Sequence, residues 1–419
     1  MKVKTKDFQK NSTNALVDKQ LQIALERVVG HFDVARNDAV EEMTTEVWDR
    51  YRDRGREMKR HTIENLDHYL NLLSHRVERN GGVVHFAKDA QQATDIVLEI
   101  ARARGVRSVV KSKSMLSEEM GLNHVLEENG IEPVETDLGE YIIQLADETP
   151  FHIIAPAMHK SKEQVSELFF DKLKTKRLTK IEDMAAVARV TLREKFLKAD
   201  MGISGVNFAV AETGTVVIVT NEGNGRLSTS LPKIHVALMG MEKVVPALED
   251  MAIMLRLLPR AATGQRITSY VNFVSGPRRR EDEDGPEEFH LVIMDNGRSK
   301  LLADPDLRES LYCIRCGACL NICPVYRKVG GHAYGWVYPG PIGAVITPVM
   351  TGLSNAKDLP FASTLCGACK EVCPVKINIP HMLLKLRTEL TQGDRGQRNV
   401  SSLARLGIWI WSRAVGSQR

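Results

Sequence analysis

The sequence predicts an α/β protein: N-terminal helices, an open sheet domain, a small helical module that carries the cysteines, and a terminal segment. Two observations lead to this fold class. Short apolar runs alternate with helical patterns beyond Gly81, which is typical of a parallel sheet covered on both faces. All 7 cysteines lie between Cys313 and Cys373, after a long stretch that has none. The expected boundaries are residues 1–60, 61–300, 301–385 and 386–419, the last holding a linker and a helix.

The individual elements follow from the spacing of apolar residues. Side chains such as Leu21, Ala24 and Val28 recur every three or four positions, which predicts helix over residues 14–80. Two later segments, 90–103 and 114–129, show the same helical spacing. Short apolar runs predict strands at residues 83–86, 106–110, 131–135, 152–155, 216–219, 235–238 and 290–294.

The composition is that of a soluble globular protein. Of 419 residues, 43% are hydrophobic and 26% charged, which excludes wholesale disorder and a multi-span membrane protein. The polar start lacks a signal-peptide core, and no run approaches the ~20 apolar residues of a membrane span. The apolar stretch 406–411 is expected to be a helix docked on the core or on a partner, although its flanking arginines also suit a membrane interface. The expected location is the cytoplasm, where thiols stay available to metals.

The strongest signal in the chain is a run of four cysteines that ends in proline: Cys313, Cys316, Cys319, Cys323 and Pro324. This C-x2-C-x2-C-x3-C-P spacing is that of bacterial ferredoxins. Three cysteines spaced by two residues allow one tight loop to wrap three corners of a cubane, and a helical turn carries the fourth cysteine away. Gly317 and Ala318 keep the backbone close to the sulfides, so that amide groups can bond to them.

A second run repeats the end of the first, with Cys366, Cys369, Cys373 and Pro374. In register with the first run, its leading cysteine would be residue 363, where the sequence has Ser363. The repeat is therefore one ligand short. A structural zinc site is the alternative for such cysteine pairs, but the repeated Cys-Pro ending favours iron–sulfur clusters.

In two-cluster ferredoxins the last cysteine of each run serves the other cluster. One [4Fe-4S] cluster is therefore expected on Cys313, Cys316, Cys319 and Cys373. The second cluster would take Cys323, Cys366 and Cys369. It is expected to be a [3Fe-4S] cluster, or a [4Fe-4S] cluster whose fourth iron binds Ser363, another side chain, water or a partner residue. An open iron would also act as a Lewis acid on substrate, but two neighbouring clusters favour electron relay.

The charge distribution agrees with this interpretation. The chain has 57 basic and 53 acidic residues, yet basic residues clearly outnumber acidic ones from Lys300 onward. A basic surplus can indicate nucleic-acid binding. Here it surrounds thiolate ligands, so we expect it to offset cluster charge or to meet an acidic partner, and no nucleic acid is expected.

The sheet domain contains loops that suit a binding cleft. No glycine-rich motif for a dinucleotide or ATP is present. Lys111, Lys113 and Ser114 follow a strand and suit an anion at a helix N-terminus, or only a capped helix with solvated lysines. Two acidic residues come at the end of the next strand, Glu135 and Asp137. They would either line the cleft or belong to an ordinary turn. Small and polar candidates gather further on: Gly202, Ser204, Glu212, Gly214, Thr215, Asn221, Glu222, Gly223 and Asn224.

With these residues in view, the chain resembles the lactate-utilization iron–sulfur protein family, specifically its B subunit. The resemblance covers roughly residues 20–390 and is specific as motifs go. It rests on the cysteine runs, on the loop candidates above, on HIIAPAMH from His152 and on PGPIGAVITP from Pro339. It implies a domain whose fold is similar to that of the sugar-phosphate isomerase and deaminase sheet proteins. The missing cysteine at Ser363 looks typical of the family, whereas relatives look longer beyond Trp411.

The resemblance also implies a function. Family members belong to a three-protein complex that oxidises L-lactate to pyruvate. The implied partners are a cysteine-rich heterodisulfide-reductase-like subunit and a second lactate-utilization-domain protein. The chain would be the cytoplasmic electron-transfer subunit, at most peripheral at the inner membrane through its partners. Two alternatives remain: the sheet domain is itself an enzyme on a small phosphorylated or acyl substrate with regulatory or structural clusters, or the chain is a scaffold.

Overall fold

The computed structural model describes residues 3–393 and 402–416. The N-terminal part is helical, as expected, and contains α1 (Phe8–Val17), α2 (Lys19–Met43), α3 (Thr45–Glu64) and α4 (Leu66–Arg79) after a 3-10 turn at Thr5–Asp7. The breaks between these helices come from capping residues. The Asp18 side chain accepts the amide of Leu21 at 3.0 Å and starts α2. Thr44 accepts the amide of Val47 at 3.4 Å and starts α3.

The strands are β1 (Val83–Ala87), β2 (Ser108–Lys111), β3 (Glu132–Glu135), β4 (Met201–Gly205), β5 (Phe208–Val210), β6 (Thr215–Thr220), β7 (Ile234–Gly240), β8 (Val244–Val245), β9 (Tyr270–Val274) and β10 (Glu288–Met294). Within the described residues, six of them form a parallel sheet in the order β1-β10-β7-β4-β2-β3. The other four form a mixed sheet in the order β8-β5-β6-β9. All seven residues of β7 are buried, which explains its nearly continuous apolar sequence.

Helices cover the sheets: α5 (Ala90–Ala103), α6 (Met115–Met120), α7 (Leu122–Glu128), α8 (Leu138–Leu145), α9 (Lys162–Leu173), α10 (Ile181–Lys198), α11 (Asn224–Ser230) and α12 (Leu248–Thr263). The single helix expected over 114–129 is broken into α6 and α7. Gly121 adopts a left-handed φ of 69° between them, a conformation that ends a helix. The α/β class with an open parallel sheet is confirmed.

Two apolar cores fix the sheets. Val97 and Leu122 pack with Val236 on one face of the parallel sheet. Leu73 of α4 packs with Val216 and Leu291 between the two sheets. Because fully burying such side chains stabilises a fold by about 1.5–3 kcal/mol each, these cores hold the strand ends in place.

The strand predicted at residues 152–155 is wrong. Phe151, His152 and Ile153 are buried, but the segment forms bends that pack on the cysteine module. His152 Nε2 donates to Asn321 Oδ1 at 3.0 Å, and the Tyr326 hydroxyl donates to the Phe151 carbonyl at 3.0 Å. The segment is apolar because it is buried against the cysteine module, and it does not belong to a sheet.

The cysteine module is helical, as expected: α13 (Arg298–Ala303), α14 (Ala318–Ile322), α15 (Tyr326–Val329), α16 (Gly340–Thr351), α17 (Ala368–Glu371) and α18 (Ile379–Gln392), joined in part by 3-10 turns. The N-terminal helices share one core with it, since Leu25 and Trp48 belong to the same buried cluster as Tyr326 and Val375.

The last described helix is α19 (Ser402–Gly416). Trp409 and Trp411 are 54% and 66% exposed, so docking of this stretch on the core is not observed, and docking on a partner stays a prediction. Most of the linker expected at 391–399 lies outside the described residues. Among the described helices, none has the length and apolar character needed to span a bilayer.

Candidate functional site

A cavity of about 380 Å³ lies at the carboxyl end of the parallel sheet. Its lining includes residues that directly follow four strands: Lys113 after β2, Asp137 after β3, Lys243 after β7 and Arg298 after β10. Ligands of open α/β sheets bind in this position, because loops from neighbouring strands converge there. The volume is in the range of small-molecule sites.

Six of the residues predicted for the cleft line this cavity: Lys113, Ser114, Asp137, Asn221, Glu222 and Asn224. Asp137 also caps α8 by accepting the Glu140 amide at 3.1 Å. Glu222 is exposed as a residue, yet its carboxylate accepts the Leu138 amide at 3.2 Å beside Asp137. Enclosure of the carboxyl and the charge of Asp137 raise the pKa of Glu222 to about 7.

Lys111 and Glu135 are outside the cavity lining and form a buried ion pair. Asn123 binds both, accepting from Lys111 Nζ at 2.6 Å and donating to Glu135 Oε1 at 2.9 Å. Burial lowers the pKa of Lys111, but Glu135 and Glu118 outweigh it, so the pKa is raised and the lysine stays charged. This pair joins β2 to β3.

The other predicted cleft residues are also outside the lining and have structural contacts. Ser204 Oγ shares a hydrogen bond with His235 Nε2 at 2.8 Å, and Glu212 accepts the Leu248 amide at 3.1 Å where α12 begins. Thr215 Oγ1 lies 2.9 Å from Ser275 Oγ. The glycines allow close packing or turns: Gly202 against the Ser228 backbone, Gly214 with φ 69° against Arg76, and Gly223 before α11.

Sequence reasoning missed a buried charge network at the cavity. Arg298 donates to both carboxylate oxygens of Glu119, at 3.0 and 2.9 Å, and its Nε donates to Glu242 at 2.7 Å. Arg315 Nη2 is 3.5 Å from Glu242, and its guanidinium lies over the Tyr338 ring at 4.5 Å. Tyr338 donates to Glu119 at 2.6 Å. Two cations therefore balance two anions.

Glu242 and Arg298 stay ionised in this network despite burial. Burial raises the pKa of Glu242, but Arg298 and Arg315 outweigh it and lower the pKa to about 2. Burial lowers the pKa of Arg298, but Glu119 and Glu242 raise it well above its usual value. Position after strand ends is a signal that could have found Glu242 and Arg298, whereas no local pattern marks Glu119.

Two lysines lie beside the network. Lys59 is buried and donates to the Glu242 carbonyl at 2.5 Å, and burial lowers its pKa to about 7. Lys243 is half-buried and lines the cavity, and enclosure of its ammonium lowers its pKa to about 8. Among the described residues, the Lys243 ammonium has no hydrogen-bond or ion-pair partner.

The cysteines gather into two neighbouring groups. Cys313, Cys316, Cys319 and Cys373 line one small cavity, and Ile153 and Arg315 line both this cavity and the larger one. The second group is Cys323, Cys366 and Cys369. Besides burial, the charges of its members raise the pKa values of Cys323 and Cys369, so these thiols lie close together. Burial raises the pKa of Cys319, and the charge of Cys369 also raises it, so the two groups are adjacent.

The surroundings of the sulfur atoms suit metal thiolates. The amides of Arg315 and Tyr326 donate to Cys313 Sγ at 3.4 Å and Cys323 Sγ at 3.5 Å. Burial raises the pKa of Cys373 to about 11, so a free thiol there holds its proton and metal binding would release it. All seven cysteines are free of disulfides. Seven thiols in two groups with N–H···S bonds therefore fit two iron–sulfur clusters.

Comparison with known proteins agrees with these two units. The LUD domain model matches residues 70–294, and the 4Fe-4S dicluster domain model matches residues 309–377. Lactate utilization protein B of Bacillus velezensis and that of Bacillus subtilis are each 46% identical to this chain over 395 residues, which covers 94% of the chain and 82% of each relative. The chain belongs to the lactate utilization protein B family. Its cysteine module is an iron–sulfur domain.

One solved structure also matches, a DUF162 family protein from Deinococcus radiodurans. It covers 55% of this chain and 98% of its own, with 12% identity and a TM-score of 0.31. A likeness at this level supports no conclusion about the site.

Proposed function

We propose that the chain is the iron–sulfur electron-transfer subunit of a complex that oxidises L-lactate to pyruvate. The observation that carries the proposal is the junction of the two cavities, because Arg315 and Ile153 line both the sheet-domain cavity and the first cysteine group. The curated relatives are named for lactate utilization, which supports lactate as the electron source. Iron–sulfur clusters, when bound, supply one-electron transfer, so the two-electron oxidation needs further chemistry from a partner.

The proposed ligands follow the exchange of the last cysteine between runs. Cys373 lines the same cavity as the first three cysteines of the first run, which supports its place in that set. The second set would be Cys323, Cys366 and Cys369, and burial together with the neighbouring thiols raises the pKa of Cys369 to about 12. The fourth position of this set is left without a cysteine, and its cluster is proposed to be [3Fe-4S] or [4Fe-4S] with another ligand.

The proposed complex would contain a cysteine-rich subunit similar to heterodisulfide reductase and a second protein with a lactate-utilization domain. The exposed helix α19 is a candidate surface for these partners, since its tryptophans are uncovered. We place the complex in the cytoplasm, with contact to the inner membrane only through partners.

Growth and enzyme assays test this proposal. The gene should be deleted and complemented either with the wild-type chain or with Cys316→Ala. Deletion should abolish growth on L-lactate as sole carbon source while growth on pyruvate continues, and Cys316→Ala should fail to restore it. The complex purified anaerobically should reduce an artificial dye with L-lactate. Normal growth of the deletion strain on L-lactate would refute the proposal.

A further inference from the structure

Two cationic side chains line the sheet-domain cavity with donor groups that no protein acceptor contacts within the described residues: Lys243 and Arg315. Lys243 lines the cavity without an ion-pair partner among the described residues. The neighbouring Arg315 is 12% exposed, and its Nη1 is buried without a hydrogen-bond partner. Enclosed donors of this kind are costly unless a ligand completes them.

The buried network beside these groups is balanced within itself. Arg298 and Arg315 face Glu119 and Glu242 in the buried network, so these four groups sum to zero. Lys243 and Lys59 are therefore cations additional to the network, and of these two only Lys243 lines the cavity. Lys113, also in the lining, donates to the Ile154 carbonyl at 2.7 Å and has no carboxylate partner within the described part of the chain.

The cavity lining also holds two carboxylates, which restricts what kind of anion fits. Asp137 and Glu222 lie near one another and near Lys113, so a ligand with negative charge along its whole length would be repelled there. Apolar side chains such as Ile218, Met239 and Leu258 complete the lining. A molecule with one acidic group near Lys243 and Arg315 and a short uncharged remainder suits a lining of this composition. A 2-hydroxy or 2-oxo monocarboxylate has this chemistry.

We infer that this cavity binds the carboxylate of a 2-hydroxy or 2-oxo monocarboxylic acid, with Lys243 and Arg315 as its anchors. The inference rests on the proposed function and adds that the acid binds in this subunit, next to the loop of the first cysteine group. The competing explanation is that Lys243 only offsets the negative charge of a cluster on those cysteines.

Direct binding distinguishes the two explanations. The full chain, purified anaerobically with its clusters, should be titrated calorimetrically with L-lactate and with pyruvate. Lys243→Gln should weaken binding by about tenfold or more, since a charge-assisted hydrogen bond contributes that much, and Lys243→Arg should retain most of it. The matched control is Lys233→Gln, at an exposed lysine paired with Glu287 outside the cavity lining. Iron content and circular dichroism should match the wild type in all variants.

Three results would overturn the inference: no heat from either acid with the wild-type chain, equal weakening by the Lys233 control, or an unchanged affinity in Lys243→Gln. An unchanged affinity with a shifted cluster potential would favour the competing explanation. Absence of binding while the purified complex still reduces dye with L-lactate would remove the inference and leave the proposed function standing. Normal growth of the deletion strain on L-lactate would remove the proposed function itself.

Discussion

Replacing Arg298 with methionine probes the buried charge network that borders the cavity. The arginine side chain is 2% exposed and makes four hydrogen bonds: two to the Glu119 carboxylate, one to the Glu242 carboxylate and one to the Asp295 carbonyl. The methionine would fill much of the space but leave two buried carboxylates without their main partner. The charge balance of the site would shift to net negative at Glu119 and Glu242.

The expected cost is about 4 kcal/mol, because removing one partner of a buried ion pair typically destabilises a protein by 3–5 kcal/mol. For a domain of this size, each kcal/mol lowers the melting temperature by about 2–4 °C, so the shift should be about 10 °C. Arg298→Lys keeps the charge but loses the paired geometry to Glu119, and we expect about half of that loss.

Thermal unfolding of the anaerobic protein, followed by circular dichroism, measures this effect. Arg177→Met is the matched control, since Arg177 makes the same paired contact with Glu167 at 2.8 and 2.7 Å on the surface. That variant should melt like the wild type. A shift below about 2 °C for Arg298→Met, or equal shifts in both variants, would refute the view that this network stabilises the cavity.

Three further changes have defined outcomes. His235 is buried with its pKa lowered by burial to about 3, so protonation favours the unfolded chain below pH 6.5. The free energy of unfolding should therefore fall as pH drops from 6.5, and His235→Gln should reduce its pH dependence by about 1.4 kcal/mol per pH unit, measured by denaturant unfolding across this range. Gly331→Ala should abolish soluble expression, because the new Cβ would lie 1.6 Å from the Phe151 carbonyl oxygen, whereas Gly223→Ala, with nothing within 4 Å, should express normally. Ser363→Cys should add one iron per chain if the second cluster has three irons, and iron analysis with EPR measures this. Unchanged iron and an unchanged EPR signal would contradict a three-iron cluster.

Much of the fold was predictable because buried parallel strands are apolar throughout. The run at 290–294 became β10, and the one at 235–238 became its neighbour β7 in the parallel sheet. The run at 152–155 is also apolar but packs on the cysteine module. An apolar pattern predicts that a segment is buried, but it does not predict what the segment packs against. Only the three-dimensional arrangement separates these cases.

The site was predictable where it depends on short-range pattern. The cysteine spacing located the module, and polar residues after strand ends found Asp137 and Lys113 in the cavity lining. Ser204 was misleading because it lies within β4 and bonds to a neighbouring strand, not at the strand end. Glu119 and Arg298 meet across 179 positions of sequence, and no local signal marks such a pair.

The central claim is that electrons from L-lactate reach clusters held by this chain. The complex should be purified anaerobically, oxidised, mixed with L-lactate and frozen for EPR within the time of one turnover. The account predicts that the signal of reduced iron–sulfur clusters appears with L-lactate and is lost or altered in a complex that carries Cys316→Ala. Oxidation of L-lactate to pyruvate by the complex while the clusters of this chain stay oxidised would contradict it.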